Sequence, residues 1–315
     1  MKRFKNILLV FDPEVSDRST FRRAAALAKN NKGRLTVVSV ISGLPRDLRM
    51  AVPKISPHEL QEFVIRERRT QAEDFINPIR REVGDVDFNI LTGTPFIEII
   101  RQVIRDKHDL VIMTAEGKTG LKDRLFGSMS LHLMRKCPCP VWVMKPARRR
   151  YLRIMAAVDP GSINKKRNLL NTVIMDLATS MAALEKSELH IVHAWSLVGE
   201  GHMRAFGDAS PEEIDRLCNS ARYDVQKQLD DLLGHYSLEG LNYEIHLQEG
   251  DPKFLIPELA RKKRIELIVM GTICRTGIAG FFIGNTAENV LQQVNCSVLT
   301  VKPEGFKSPV KVEDS

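Results

Sequence analysis

Two stretches of the 315-residue chain carry residue types suited to holding an anion. Thr114-Ala-Glu-Gly117 runs on to Gly127-Ser128, and Gly271-Thr-Ile-Cys274 runs on to Gly284-Asn285. Glycines let backbone N–H groups approach phosphate oxygens, and a helix that follows offers its positive N-terminus to the same anion. By residue type alone, such loops are a weak signal for phosphate and fit a plain structural turn better. An acid closes an apolar run in each half of the chain: Asp12 after Asn6–Val10, and Asp159 after the run from Ile154 to Val158. Gly117-Lys118-Thr119 has the look of a P-loop ending. That motif needs a glycine five residues before its Gly-Lys pair, and Ile112 stands there.

Other chemistries find less support. Cys137-Pro-Cys139 lacks a second cysteine pair at zinc-finger spacing and reads as buried packing at the start of a strand. His190 and His193 lie three apart on a strand, so their side chains point to opposite faces and cannot pinch one metal ion. No metal site is expected. His193 reads as a strand residue near the mouth of a cleft, and Met113 and Met270 as the buried ends of strands. Glu288 follows a helix start and suits the macrodipole there. No Ser-His-Asp or Cys-His constellation stands out.

The elements that must position these residues come in two copies. Asp109-Leu-Val-Ile-Met113 returns as Glu266-Leu-Ile-Val-Met270, 157 residues later. Gly93-Thr-Pro95 returns as Gly250-Asp-Pro252, and Cys139-Pro-Val141 as Cys296-Ser-Val298, at the same offset. Earlier landmarks are closer, with Asp12 and Asp159 separated by 147 and Ser56-Pro and Ser210-Pro by 154. Length changes are thus confined to the first part of the repeat. Within each copy, short apolar runs alternate with helical stretches. One long helix is opened by Ser-Pro-x-Glu, in which the Ser caps, Pro takes N1 and Glu closes a capping box. The pattern βαβαβαβαβ with right-handed crossovers predicts a parallel, doubly wound sheet covered on both faces. Ligands of such sheets bind beyond the carboxyl ends of the strands, where the two acids and the glycine loops fall. The last strands, Val141–Met144 and the run from Val298 to Val301, are expected to pair across an approximate twofold axis and so protect both edges.

Composition is that of an ordinary globular protein, with 43% hydrophobic and 27% charged residues. The opening Met1-Lys-Arg-Phe-Lys5 is basic, but its apolar run ends at Asp12, too soon for a signal peptide. No run reaches the length of a membrane span, and five cysteines make no disulfide framework. A cytoplasmic location is expected. The net charge of +8 is uneven: 29 Lys/Arg against 17 Asp/Glu up to residue 150, and 18 against 22 beyond it. The basic residues are scattered and not interleaved with aromatics, so nucleic-acid binding is not expected.

The duplicated pattern resembles the universal stress protein family, in its tandem two-domain E type, over almost the whole chain. The family loop reads Gly-x2-Gly-x9-Gly-Ser/Thr and is followed by a helix and a Cys-Pro-Val strand. Here Thr114 replaces the first glycine of copy one, whereas Cys274 and Asn285 replace the second glycine and the Ser/Thr of copy two. The resemblance implies two tandem α/β domains, Rossmann-like and similar to adenine nucleotide alpha hydrolases, each with a five-stranded parallel sheet. Their expected bounds are 1–146 and 153–305, with a basic linker at 147–152 and a poorly ordered polar tail at 306–315. It also implies a cleft for ATP or another adenine nucleotide. In copy one that cleft falls on Asp12, Val40, Met113, Gly117, Gly127 and Ser128. In copy two the corresponding residues are Asp159, His193, Ala194, Met270, Gly271, Gly284 and Asn285, where a formed cleft preferring something other than ATP is expected. The implied role is nucleotide-responsive binding in stress survival. Slow ATP hydrolysis and a nucleotide-free scaffold stay open, as does a homodimer beside the internal pairing.

Overall fold

The computed structural model describes residues 4–43, 56–83, 86–116, 126–146, 150–160, 165–197, 199–206, 210–272 and 284–312. Gly117, Lys118, Thr119, Cys274 and residues 147–149 of the linker lie outside them.

In the first copy, β1 (Asn6–Val10), α1 (Arg18–Asn31), β2 (Arg34–Ile41) and α2 (Pro57–Val83) are followed by β3 (Val86–Thr92) and α3 (Pro95–Asp106). β4 (Leu110–Thr114), α4 (Ser128–Lys136) and β5 (Val141–Met144) complete it. The second copy runs β6 (Arg153–Ala157), α5 (Lys165–Glu185), β7 (Glu188–Trp195), α6 (Glu200–Phe206) and α7 (Pro211–Leu233). It ends with β8 (Tyr243–Glu249), α8 (Pro252–Lys262), β9 (Leu267–Gly271), α9 (Asn285–Gln293) and β10 (Ser297–Val301). The short helix α6 falls in the part of copy two where the sequence is longer than copy one.

The ten strands among the described residues form one sheet, ordered β3-β2-β1-β4-β5-β10-β9-β6-β7-β8. Within each copy the strands are parallel, with Leu8 opposite Thr36 on one side and Val111 on the other. At the centre β5 and β10 meet antiparallel, Trp142 opposite Leu299 and Val143 opposite Val298. Read from either end, the order of strands within the repeat is the same.

Strand alternation divides the core between the two faces. Ile7 and Leu9 point to a face covered by Phe21 and Ala24 of α1, Ile76 of α2 and Ile174 of α5. Leu8 and Val10 point to the other, under Ile99 of α3, Leu133 of α4, Leu259 of α8 and Val290 of α9. Each core runs through both copies. Burial on both faces explains why the central strands read as continuous apolar runs.

The repeated motifs mark turns with fixed demands. Gly93 and Gly250 have φ of +145° and +131°, which glycine alone adopts freely. Thr94 and Asp251 are then the N-caps of α3 and α8, with Pro95 and Pro252 beginning the helices. Both capping boxes form. The Glu59 N–H donates to Ser56 Oγ at 3.2 Å and the Ser56 N–H to Glu59 Oε2 at 2.9 Å, with the same exchange between Ser210 and Glu213.

Residues 304–312, expected from their polarity to be poorly ordered, include side chains that pack on the body of the protein. Val310 packs against the core of the second face, and Arg101 Nε donates to the Lys311 carbonyl at 3.3 Å. The Lys302 ammonium lies 5.0 Å from the centroid of the Phe306 ring. Two apolar side chains in a polar segment are enough to lay it against the body of the protein.

Candidate functional site

The carboxyl ends of β1 and β4 and the head of α4 converge in copy one. The ladder extends one residue past β1, where the Phe11 N–H donates to the Val38 carbonyl at 2.8 Å. The chain then turns at Asp12, whose Oδ1 accepts from the Glu14 N–H at 3.0 Å and whose own N–H donates to Ser16 Oγ at 2.9 Å. Asp17 caps α1 by accepting from the Ser19 N–H. The Asp17 N–H in turn donates to Thr114 Oγ1 at 3.3 Å. The threonine that stands at the first loop glycine therefore ties the end of β4 to the start of α1, and its side chain is buried.

Gly127 is the N-cap of α4 and supplies no side-chain cap. In its place the Glu116 carboxylate reaches the helix head and accepts from the Ser130 N–H at 3.3 Å. A Cβ added to Gly127 would fall 1.2 Å from Glu116 Oε2, so the carboxylate fills the space that the missing side chain leaves. Burial raises the pKa of Glu116 and the negative charge of Asp12 raises it further, while the Ser130 N–H works the other way. Asp12, Glu116, Gly127 and the start of α4 at Ser128 thus form one locus. Met113 is buried in the core, leaving its backbone as the part facing the strand end, and Val40 is half-buried beside the same core. Sequence reasoning passed over Glu116. The available signal was an acid next to the second loop glycine.

Copy two holds its first turn by different means. The Val158 N–H donates to the Val192 carbonyl at 3.0 Å, repeating the contact of Phe11. The Asp159 N–H and carbonyl are both bonded by the Asn171 amide of α5, at 2.9 and 2.8 Å. His193 is 3% exposed, with Nδ1 3.1 Å from the Val158 carbonyl, and its neighbour Ala194 is buried, as is Met270 of β9 beyond β6. Gly271 ends β9 against Leu170 of α5: a Cβ there would lie 2.7 Å from Leu170 Cδ2. Gly284 is the N-cap of α9 and donates its N–H to the Thr272 carbonyl at 3.0 Å, and Asn285 is the exposed first residue of that helix. Glycine at 271 serves close packing by an aliphatic side chain of the same copy. Gly284 keeps an anion-friendly helix start.

Both halves of the chain match the universal stress protein family, over residues 3–145 and 150–302. Universal stress protein E of Escherichia coli K12 is 28% identical over 324 residues, covering 100% of this chain and 99% of that protein. Universal stress protein E of Photorhabdus laumondii is 26% identical over 323 residues, with 99% of each covered. Among solved structures, a functionally unknown protein of Pseudomonas aeruginosa PAO1 superimposes with a TM-score of 0.67 and 24% identity, over 97% of this chain and 95% of that one. A universal stress protein of Archaeoglobus fulgidus gives 0.56 and 18%, over 95% and 98%. The glycine-loop spacing, the shared strand order of the two halves and the match along both of them lead to one assignment: the chain belongs to the universal stress protein family.

Proposed function

We propose that this protein is an adenine-nucleotide-responsive binding module acting in stress survival, in which the cleft of copy one takes the nucleotide in exchange for its own Glu116 carboxylate. The observation that carries the reading is the head of α4, where a glycine N-cap and the Ser130 N–H already hold a carboxylate. Free N–H groups at a helix start attract an anion whatever its source. In this reading Asp12 meets the base, Val40 and Met113 contribute backbone contacts, and Gly117, Gly127 and Ser128 hold ribose and phosphate. The functional units are 1–146 and 153–305, and the setting is cytoplasmic.

Glu116 makes the occupied state conditional. Its charge opposes a second anion, so affinity depends on whether the carboxylate swings out or is protonated. Titration calorimetry of the full chain with ATP, ADP and AMP tests this. The expected result is weak binding by the native chain and tighter binding by Glu116→Gln. No heat from either protein with any of the three nucleotides would remove the nucleotide from the account. Release of phosphate from ATP, followed in the same samples, tests slow hydrolysis.

A second reading is favoured by the packing of Leu170 on Gly271 and of Glu116 on Gly127. In it both clefts have become filled, and the duplicated domains serve as a nucleotide-free scaffold. Mass spectrometry of small molecules released from freshly purified, denatured protein separates the two readings.

A further inference from the structure

Near the amino ends of β7 and β8, at the opposite end of the sheet from the nucleotide cleft, a second cluster of chemistry-bearing side chains is assembled. Parallel pairing sets His190 opposite Glu244 and Val192 opposite His246. Alternate residues of a strand share a face, so His190, Glu244 and His246 stand together, on the face packed by Leu259 and Ala260 of α8. His190 Nδ1 is 3.0 Å from His246 Nε2 and 3.6 Å from Glu244 Oε2. One ligand atom from each of the three residues falls within a 4.8 Å span. His190 is 1% and His246 9% exposed.

We propose that His190, His246 and Glu244 bind a divalent transition-metal ion of the zinc type. Two imidazole nitrogens each about 2.0–2.1 Å from zinc stand roughly 3.0–3.4 Å apart, and the two rings already have that spacing. Two histidines and one carboxylate are a ligand set that zinc accepts with its fourth position open. The outer groups fit as well. His190 Nε2 is buried without a hydrogen-bond partner, and the Glu188 carboxylate lies 3.7 Å away. A metal-bound imidazole aims its other N–H at such a carboxylate, which fixes the tautomer and raises ligand basicity.

The plainer reading is a hydrogen-bonded histidine pair beside a Lys263–Glu244 ion pair. Copy one weakens it. The equivalent pairs there set Thr36 opposite Asp87 and Val38 opposite Asn89, so the acid recurs while neither imidazole does. That region of copy one forms a cavity of about 450 Å³ lined by Thr36, Asp87, Asn89 and His108 among others. The fold therefore does not require imidazoles at this place. Two neighbouring strands of copy two carry them where they converge.

Lys263 gives the proposal a distinctive consequence. Its ammonium bonds both oxygens of Glu244, at 2.8 and 2.7 Å, and so competes with any ion for that carboxylate. The full chain, stripped with a chelator, is titrated with zinc by calorimetry and with cobalt(II) by visible absorption at neutral pH. The expected result is one ion per chain with the intense visible bands of a four-coordinate cobalt site. His246→Ala should abolish them. Glu188→Gln should weaken binding by about tenfold, as loss of an outer-shell partner does. Lys263→Met, which keeps every ligand, should tighten binding several-fold, an effect the hydrogen-bond reading does not give. This variant also carries the test if His246→Ala fails to fold. Absence of binding at micromolar zinc, unchanged affinity in His246→Ala or in Lys263→Met, or the near-ultraviolet band of a cobalt–thiolate site would each overturn the proposal.

Discussion

Lys302, which follows β10, donates from Nζ to the carbonyl of Met134 in α4, 2.7 Å away and 168 residues earlier in the chain. The same ammonium reaches the Arg135 carbonyl at 3.1 Å and bonds Thr272 Oγ1. Its counterpart Lys145 bonds Asn295 Oδ1 at 3.0 Å and the Asn295 carbonyl at 3.3 Å, just beyond α9. Each copy therefore ends in a lysine that bonds the other copy, and Lys302 does so at the carboxyl end of α4, where a cation suits the exposed carbonyls. Burial lowers the Lys302 pKa to about 7, so below that pH, where the ammonium persists, Lys302→Met should destabilise the chain by about 1.5–3 kcal/mol, the range for hydrogen bonds to a charged group. Urea denaturation measures it. A loss below about 0.5 kcal/mol would mean that water replaces the lysine.

A buried ion pair makes a second junction between the copies. Arg23 of α1 pairs with Glu185 of α5, their side chains 12% and 10% exposed, and Glu185 also accepts from the Tyr151 N–H at 2.7 Å. The guanidinium lies over the Tyr151 ring, 4.4 Å from its centroid. Glu185→Ala leaves that cation buried without its carboxylate, and breaking a buried pair from one side costs about 3–5 kcal/mol. A fall in unfolding free energy of that size is expected, with far-UV circular dichroism retained at low temperature. A change within about 0.5 kcal/mol would show the pair to be solvated.

The repeat, the strand alternation and both capping boxes were legible because each rests on contacts close in sequence. Ser56 and Glu59 satisfy one another within a single turn of helix, and Gly93 is required by its own φ. What escaped depends on side chains brought together across the fold. Thr114 looks like the loss of a loop glycine until Asp17 supplies the N–H its hydroxyl accepts. Glu116 reads as a loop acid until Gly127 is seen to leave room for its carboxylate. Val310 reads as part of a polar tail, and only the packing of α3 and its neighbours gives it a surface to cover. The opposite-face argument for His190 and His193 holds along one strand, yet His246 enters from the next strand on the His190 side.

Gly127→Val should abolish nucleotide binding in copy one. A branched side chain there displaces Glu116 and takes the same space beside the helix head, where phosphate would approach. Calorimetry with ATP in both Gly127→Val and Glu116→Gln backgrounds checks it. Unchanged affinity after Gly127→Val would move the site to Gly284 in copy two or remove it.

Glu116 carries the pH signature that bears on the cleft of copy one. Its folded pKa is raised, chiefly by burial and further by Asp12. A carboxyl raised in this way contributes stability that is present below its unfolded pKa and lost as pH rises through the folded value, because the ionised form is the disfavoured one. The same proton governs access for an anion. The ionised carboxylate holds the Ser130 N–H and repels phosphate. As pH falls through its raised pKa, protonation weakens its hold and removes the repulsion. At an effective dielectric of about 20, unit charges about 4 Å apart interact by about 4 kcal/mol, an upper bound once solvent screens them. Nucleotide affinity of the native chain should therefore rise by about tenfold or more as Glu116 is protonated, which corresponds to about 1.4 kcal/mol. In Glu116→Gln the amide keeps the shape without the charge, so affinity should already be high at neutral pH and change with pH only as the nucleotide's own phosphate titrates. The readout is the ratio of native to variant affinity across the acid range, in which the phosphate contribution cancels. A ratio that does not change with pH would show that the Glu116 carboxylate does not control the seat at the head of α4.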